Sequence, residues 1–229
     1  MKFVQLVEYR TTKPEDMNTL MDRWAEATQG KRTASHTVTG RDRSDASHYV
    51  EIVEFDSYEK AMKNSHLPET EKAFQEMVAL CDGMPSFTDL DVVRDEQMNA
   101  ATARRCFHEI IVGGNLDGVD EVFAADYRDH DISKDEPGIG RQSIKQDIKG
   151  WRDAFDFHFD LDRQVTEGDD VVTLWTWHGT HKGDFQGIAP TGKQCTMTGT
   201  TVFRFEDAVI KEGWWHYDAL HLMRQLGAF

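Results

Sequence analysis

Residues 210–227 read IKEGWWHYDALHLMRQLG: two adjacent tryptophans, a histidine and an acid, then a short amphipathic segment. With period two, Ile210, Glu212, Trp214, His216 and Asp218 fall on one side of a strand, and Lys211, Gly213, Trp215 and Tyr217 on the other. One bulge in that strand would exchange the two sets. On the first parity a carboxylate and an imidazole stand beside a large ring, as in a reactive pocket wall. Burial against indoles disfavours the ionised acid and raises its pKa toward a catalytic range. The competing reading is a sheet that buries its tryptophans and leaves Asp218 at a solvated strand end.

Three long strand patterns precede this one. Phe157–Glu167 alternates, Gly168–Asp170 turns the chain, and Val171–His181 (VVTLWTWHGTH) follows. The loop KGDFQGIAPTGK leads into Gln194–Phe205, and Glu206–Asp207–Ala208 turns into Val209–Asp218. Upstream the period changes to that of helices. Asn99 is placed to cap a helix through Ala103, Cys106, Phe107, Ile110 and Ile111, stopped by Gly113–Gly114–Asn115. Leu116–Phe123 reads as a second helix and Tyr127–Asp131 (YRDHD) as a short extended piece. Gln142–Phe155 reads as a third helix, with Ile144, Ile148 and Trp151 on one face. Helices followed by a curled antiparallel sheet predict a cone-shaped α+β pocket over residues 98–229.

Residues 1–95 carry a different order. A strand at 3–9 precedes a helix opened by Pro14, with Met17, Leu20, Met21, Trp24 and Ala25 at helical spacing. Strand patterns near Ala34–Thr39 and Ser47–Phe55 flank a polar turn. Helices at Tyr58–Asn64 and from Pro68 to about Cys81 follow, then a last strand at Phe87–Val93. Strand, helix, strand, strand, helix, strand is a ferredoxin-like arrangement. This half, including FDSYEKAMKNSHLPETEKAF, resembles the dimeric α+β barrels related to antibiotic-biosynthesis monooxygenases, in which two such sheets pair across a homodimer. Trp24, Asn64 and His66 are residue types that cofactor-free oxygen chemistry uses in such a barrel. Core packing and helix-end solvation are the plainer roles for them. The connection VVRDEQM is short, charged and without glycine or proline, a taut join.

The second half resembles the SnoaL-like polyketide cyclases, of the cone-shaped superfamily related to nuclear transport factor 2. The resemblance is carried by GTHKGDFQGIAPTGK, TTVFRFEDAVIKEGWWHYD and the terminal LMRQLG. It implies a cofactor-free enzyme of secondary metabolism, of the kind met in antibiotic biosynthesis, closing a ring in an aromatic, polyketide-like small molecule by an intramolecular aldol step. Such chemistry needs one acid/base of tuned pKa in a snug apolar pocket. The family places that aspartate four residues after a tryptophan in the last strand, which here is Asp218 after Trp214. His181, in GTHKG at the end of the second long strand, is the expected catalytic partner or, alternatively, a loop anchor. His130, Trp175, Trp177, Phe203, Trp214 and His216 are the expected substrate-binding set. The strand QCTMTGTTVFRF departs from the family, which places an amide and a histidine there; here it carries threonines. Binding without catalysis, or hydroxylation centred in the N-terminal half, are the alternatives.

Composition limits partners and chemistry. Of 229 residues, 39% are hydrophobic and 29% charged, as in globular chains, and a net charge of −15 opposes nucleic-acid binding. No signal-peptide pattern or membrane-length apolar run occurs. Three scattered cysteines, Cys81, Cys106 and Cys195, read as free thiols of a cytoplasmic protein. No HxH, HExxH or two-histidine–carboxylate motif at metal spacing is present, and neighbours Asp129, His130 and Asp131 point to opposite faces of a strand, so no metal is expected. Dinucleotide, P-loop and serine-hydrolase motifs are absent as well.

Overall fold

The computed structural model describes residues 1–228, and the chain divides into two compact units, Met1–Asp95 and a second beginning at Glu96. The first runs β1 (Phe3–Arg10), α1 (Pro14–Ala27), β2 (Ala34–Arg41), β3 (His48–Phe55), α2 (Tyr58–Ser65), α3 (Pro68–Leu80) and β4 (Ser86–Asp91). Pro14 and Pro68 open α1 and α3, where a fixed φ helps and no bonded N–H is lost. The Ser57 hydroxyl accepts from the Lys60 amide and caps α2. The sheet is antiparallel throughout, in the order β2-β3-β1-β4. Phe3, Val7, Tyr9 and Phe55 are buried with Met17, Leu20, Ala61, Ala73 and Met77 of the helices. The opposite sheet face leaves Val38, Ile52 and Leu90 exposed.

The second unit opens with α4 (Met98–Arg105), which widens into a π-helical turn over Cys106–Val112. A single regular helix was the expectation from periodicity. Instead the Gly113 amide reaches back five residues to the His108 carbonyl at 3.0 Å. The wider turn keeps Cys106, Phe107, Ile110 and Ile111 all in the core. The expected second helix shrinks to α5 (Val119–Val122), because Phe123 takes extended backbone and starts β5 (Phe123–Asp131). Then come β6 (Gly138–Ile139), α6 (Gly140–Ala154), β7 (Phe155–Glu167), β8 (Asp170–His181), β9 (Gln194–Glu206), β10 (Val209–Tyr217) and α7 (Ala219–Leu226). The six strands order as β6-β5-β10-β9-β8-β7, antiparallel except where β5 lies parallel to β10.

The inner face of this sheet is aromatic. Phe155, Trp175, Trp177, Phe203, Phe205 and Trp215 are buried together with Phe107, Ile110, Ile144 and Ile148 of the helical side. Gly199 and Gly179 lack side chains where the indoles of Trp175 and Trp177 lie, so a Cβ at either would displace a ring. The register of β10 shifts between Ile210 and Glu212 against both neighbouring strands. That bulge corrects the simple alternation: Gly213 and Trp215 are buried on the side of Ile210, and His216 is exposed on the other. This is a mixed α+β molecule with two separate sheets.

Candidate functional site

The concave side of the second sheet closes over a cavity. Its enclosed part is about 70 Å³, and the cleft reaches about 560 Å³ when the open mouth is included. Trp151, Phe157, Phe159, Trp175, Trp177 and Trp215 form most of the wall, and Asp129, Asp131, Asp147 and Tyr217 supply its polar groups. The enclosed part admits one edge of a flat ligand, and the mouth leaves room for the remainder.

Asp129 is the chemically distinctive residue. Along β5, Tyr127 and Asp129 share the buried parity, and the register sets Asp129 beside Gly213 of β10. Gly213 has no side chain because the Tyr127 hydroxyl occupies that space. Asp129 is 2% exposed. Its Oδ2 accepts from Lys134 Nζ at 2.8 Å, and its Oδ1 has no partner among the described residues. The loop after β5 brings Lys134 back, where it also meets Asp147 of α6. Burial raises the Asp129 carboxyl to about 6; the Lys134 ammonium opposes the rise and the Asp147 carboxylate adds to it. Burial likewise works against the charge on Lys134, but the two carboxylates outweigh it and hold it above its ordinary value.

Other polar groups complete the wall. The Trp215 indole N–H and the Tyr127 hydroxyl are buried near one another, and neither makes a well-formed hydrogen bond among the described residues. Tyr217 donates to Asp131 at 2.9 Å, and burial raises its phenol. The cavity therefore offers a carboxylate oxygen able to take a proton, an indole N–H able to bind an oxygen, and flat rings on most sides.

The residues expected from sequence fall differently. Trp175 and Trp177 line the cavity. Asp218 does not: it is exposed at the start of α7, where its Oδ1 accepts from the His221 amide at 2.9 Å. The bulge in β10 and the end of the strand at Tyr217 carry it away from the rings. His216 is exposed for the same reason. Trp214 lies outside the lining, stacked on His130 at 4.8 Å and under the Arg204 guanidinium at 5.1 Å. His130 pairs with Glu212 at 2.8 Å, outside the cavity. Phe203 is fully buried against Phe107, Phe123 and Trp215 rather than on the cavity wall. His181 is fully buried beneath the loop after β8. Its Nδ1 meets Thr191, its ring lies against Phe155, and its backbone pairs with Lys193 and Gly192, so it anchors the loop. Lys134 and Asp147 were not among the residues expected from sequence, and Asp129 entered there only as an unsuitable metal ligand. The signal available was Asp129 sharing a strand parity with Tyr127 and Asp131.

The first unit holds its own cavity, about 330 Å³. Trp24 and Asn64 line it with Gln5, Phe55, Phe74 and Glu51. His66 is exposed at the end of α2 and does not. Glu51 is a buried carboxyl whose pKa burial raises, against a weaker lowering by the Thr39 hydroxyl at 3.4 Å.

Comparison with known proteins concerns the second unit. The profile of the SnoaL-like polyketide cyclase family matches residues 101–226, more than half of the chain. A protein from Acidithiobacillus ferrooxidans, provisionally assigned as a polyketide cyclase, is 29% identical, with 58% of this chain and 97% of that one aligned at a TM-score of 0.53. IdmH of Streptomyces antibioticus, with the same provisional assignment, is 26% identical over 57% of this chain and 99% of its own, at 0.52. A provisionally assigned SnoaL-like polyketide cyclase from Jannaschia sp. CCS1 shares the fold: 23% identity, 61% and 99% coverage, TM-score 0.56. No curated protein sequence matches the chain. Among the described residues no helix is long and apolar enough to cross a membrane.

Proposed function

The chain belongs to the SnoaL-like polyketide cyclase family, and on that premise we propose that it is a cofactor-independent acid–base enzyme acting on an aromatic, polyketide-like small molecule, with Asp129 moving the proton. Family membership supports cyclase-like chemistry on a small molecule. The observation that carries the assignment of Asp129 is its free Oδ1 on the wall of an aromatic cavity. A carboxyl raised to about 6 is ionised at neutral pH and a stronger base than a solvated one.

In the proposed reaction the Asp129 carboxylate takes a proton from a carbon flanked by carbonyl groups. The resulting enolate carbon attacks a carbonyl carbon of the same molecule. A carbon–carbon bond forms, the C=O π pair becomes an alkoxide, and the alkoxide takes the proton back. The Trp215 N–H is the donor for an oxygen of the ligand, and Trp175, Trp177 and Trp151 hold its rings. Lys134 positions Asp129 and keeps part of its charge neutralised.

The test is deuterium exchange. The protein in D2O, given an aromatic β-keto ester, is expected to place deuterium at the carbon between the carbonyls. Asp129→Asn is expected to lose about 10²–10⁴-fold of that rate, the range of general acid–base catalysis, while remaining folded. Unchanged exchange in the variant would sink the assignment.

A second reading places chemistry in the first unit, favoured by the buried Glu51 carboxyl in the larger cavity. The same assay separates the two: exchange surviving Asp129→Asn but lost in Glu51→Gln moves the site there. We further infer that the N-terminal sheet is a ferredoxin-like module that pairs two copies of the chain. The three cysteines of the whole chain, none of them paired, accord with a cytoplasmic protein.

A further inference from the structure

The outer face of the second sheet carries a side-chain cluster that the cavity chemistry does not use. His158 of β7 and His178 of β8 are direct partners across the two strands. Their imidazoles stack with centroids 5.1 Å apart and planes at 19°. Asp160, on the same face of β7, brings Oδ2 to 3.3 Å from His178 Nε2. One potential ligand atom from each of the three residues lies within 4.8 Å of the other two. We propose that His158, Asp160 and His178 bind one divalent transition-metal ion of the Zn2+ class, with water filling its remaining positions.

Four features support the assignment. Two imidazoles and one carboxylate are a donor set suited to zinc, copper or nickel, whereas calcium and magnesium favour oxygen alone. A tetrahedral ion with bonds of 2.0–2.1 Å needs donor atoms about 3.3 Å apart, and the Asp160–His178 pair already stands at that separation. The frame is held on both sides of the pair, because β7 and β8 continue their register from Phe155↔His181 to Leu161↔Trp175. Finally, His158 and Asp160 are exposed, so an ion enters without opening the fold, and the exposed Asp156 and Asp162 of β7 add negative charge.

No contiguous motif announced this set, since the sheet register joins residues separated by a complete hairpin. Asp162 accepts from Thr176 at 2.9 Å and does not compete for the same histidine. The site lies on the opposite sheet face from Trp175 and Trp177, so it stands apart from the proposed acid–base reaction.

The experiment uses the full chain freed of metal by a chelator and then titrated with ZnCl2 by calorimetry. CoCl2 in parallel reports coordination through its visible absorption. One equivalent per chain is expected. Outer-shell changes at metal sites cost 10–100-fold, so removing a ligand in His158→Ala or His178→Ala should weaken binding by roughly tenfold or more, and Asp160→Asn should weaken it too. His66→Ala, an exposed histidine of the first unit, should leave affinity unchanged and controls for adventitious binding. All three site positions lie on the solvent side of the sheet, and circular dichroism verifies folding. Absence of binding to the parent chain, or affinity in both histidine variants equal to that of the parent, would overturn the proposal.

Discussion

At Asp129 the burial that suits the proposed proton transfer opposes stability. A base works only when ionised, so kcat/KM is expected to rise with pH through a midpoint near 6 and then level off. Stability runs in the opposite direction. The folded pKa lies above the ordinary 3.8, so the folded state holds the proton more tightly than the unfolded chain. The associated stability is fully present below 3.8 and lost as pH rises through about 6, roughly 3 kcal/mol in all. Urea unfolding of Asp129→Asn and the parent should therefore diverge between pH 4 and pH 7, with the variant gaining relative stability at the higher pH. Parallel pH curves would remove burial as the cause of its altered ionisation. Asp218 makes the opposite case. As an N-cap it contributes to α7: Asp218→Ala should cost about 1 kcal/mol, Asp218→Asn almost nothing, and neither should slow deuterium exchange. An exchange rate that collapses in Asp218→Asn would return the chemistry to the end of β10. Both aspartates were visible in the sequence. What separates them is which side of each strand is concave, and that depends on a bulge and on contacts remote in the chain.

The elements were far more legible than their irregularities. The alternation of 171–181 put Trp175 and Trp177 on one face, and they do share the inner wall. The π-helical turn at Cys106–Val112 left no local mark, because its 3.6-residue pattern of apolar side chains fits a wider turn equally well. The β10 bulge was equally silent: Lys211 is an ordinary strand residue, and the register shift is a property of three strands together. The turn between β9 and β10 does carry a local signature. Asp207 and Ala208 sit at φ of 50° and 64°, the left-handed geometry that matches hairpin twist. Asp tolerates it; alanine, with a Cβ against the carbonyl, is strained there. Ala208→Gly removes that clash but adds chain entropy to the unfolded state. The net expectation is a gain of roughly 0.5–1 kcal/mol, read as a higher urea midpoint with unchanged m-value. A lower midpoint would mean that the turn is held by contacts of the alanine methyl.

For the molecule as a whole, the open sheet face of the first unit is the feature with a consequence for assembly. Val38, Ile52 and Leu90 are 46%, 38% and 42% exposed, and the register aligns Val38 with Ile52 and Ile52 with Leu6. Val4 pairs with Leu90 beside them. Isolated exposed apolar residues are ordinary, but a row aligned across three strands with the Val4–Leu90 pair beside it is a contiguous patch. Within this unit the helices already cover the other face. A two-fold axis would set the patch against itself, and a specific interface of about 800 Å² per copy is within reach of such a sheet. Light scattering is therefore expected to give twice the chain mass of 26.3 kDa at micromolar concentration. Replacing Val38 and Ile52 together by lysine puts like charges across the axis and removes the apolar row, and the variant should run as a monomer. Its Asp129 cavity belongs to the other unit, so exchange per chain should persist. A parent chain that is already monomeric, or a double-lysine variant that stays dimeric, would show that this sheet face is not where two copies meet.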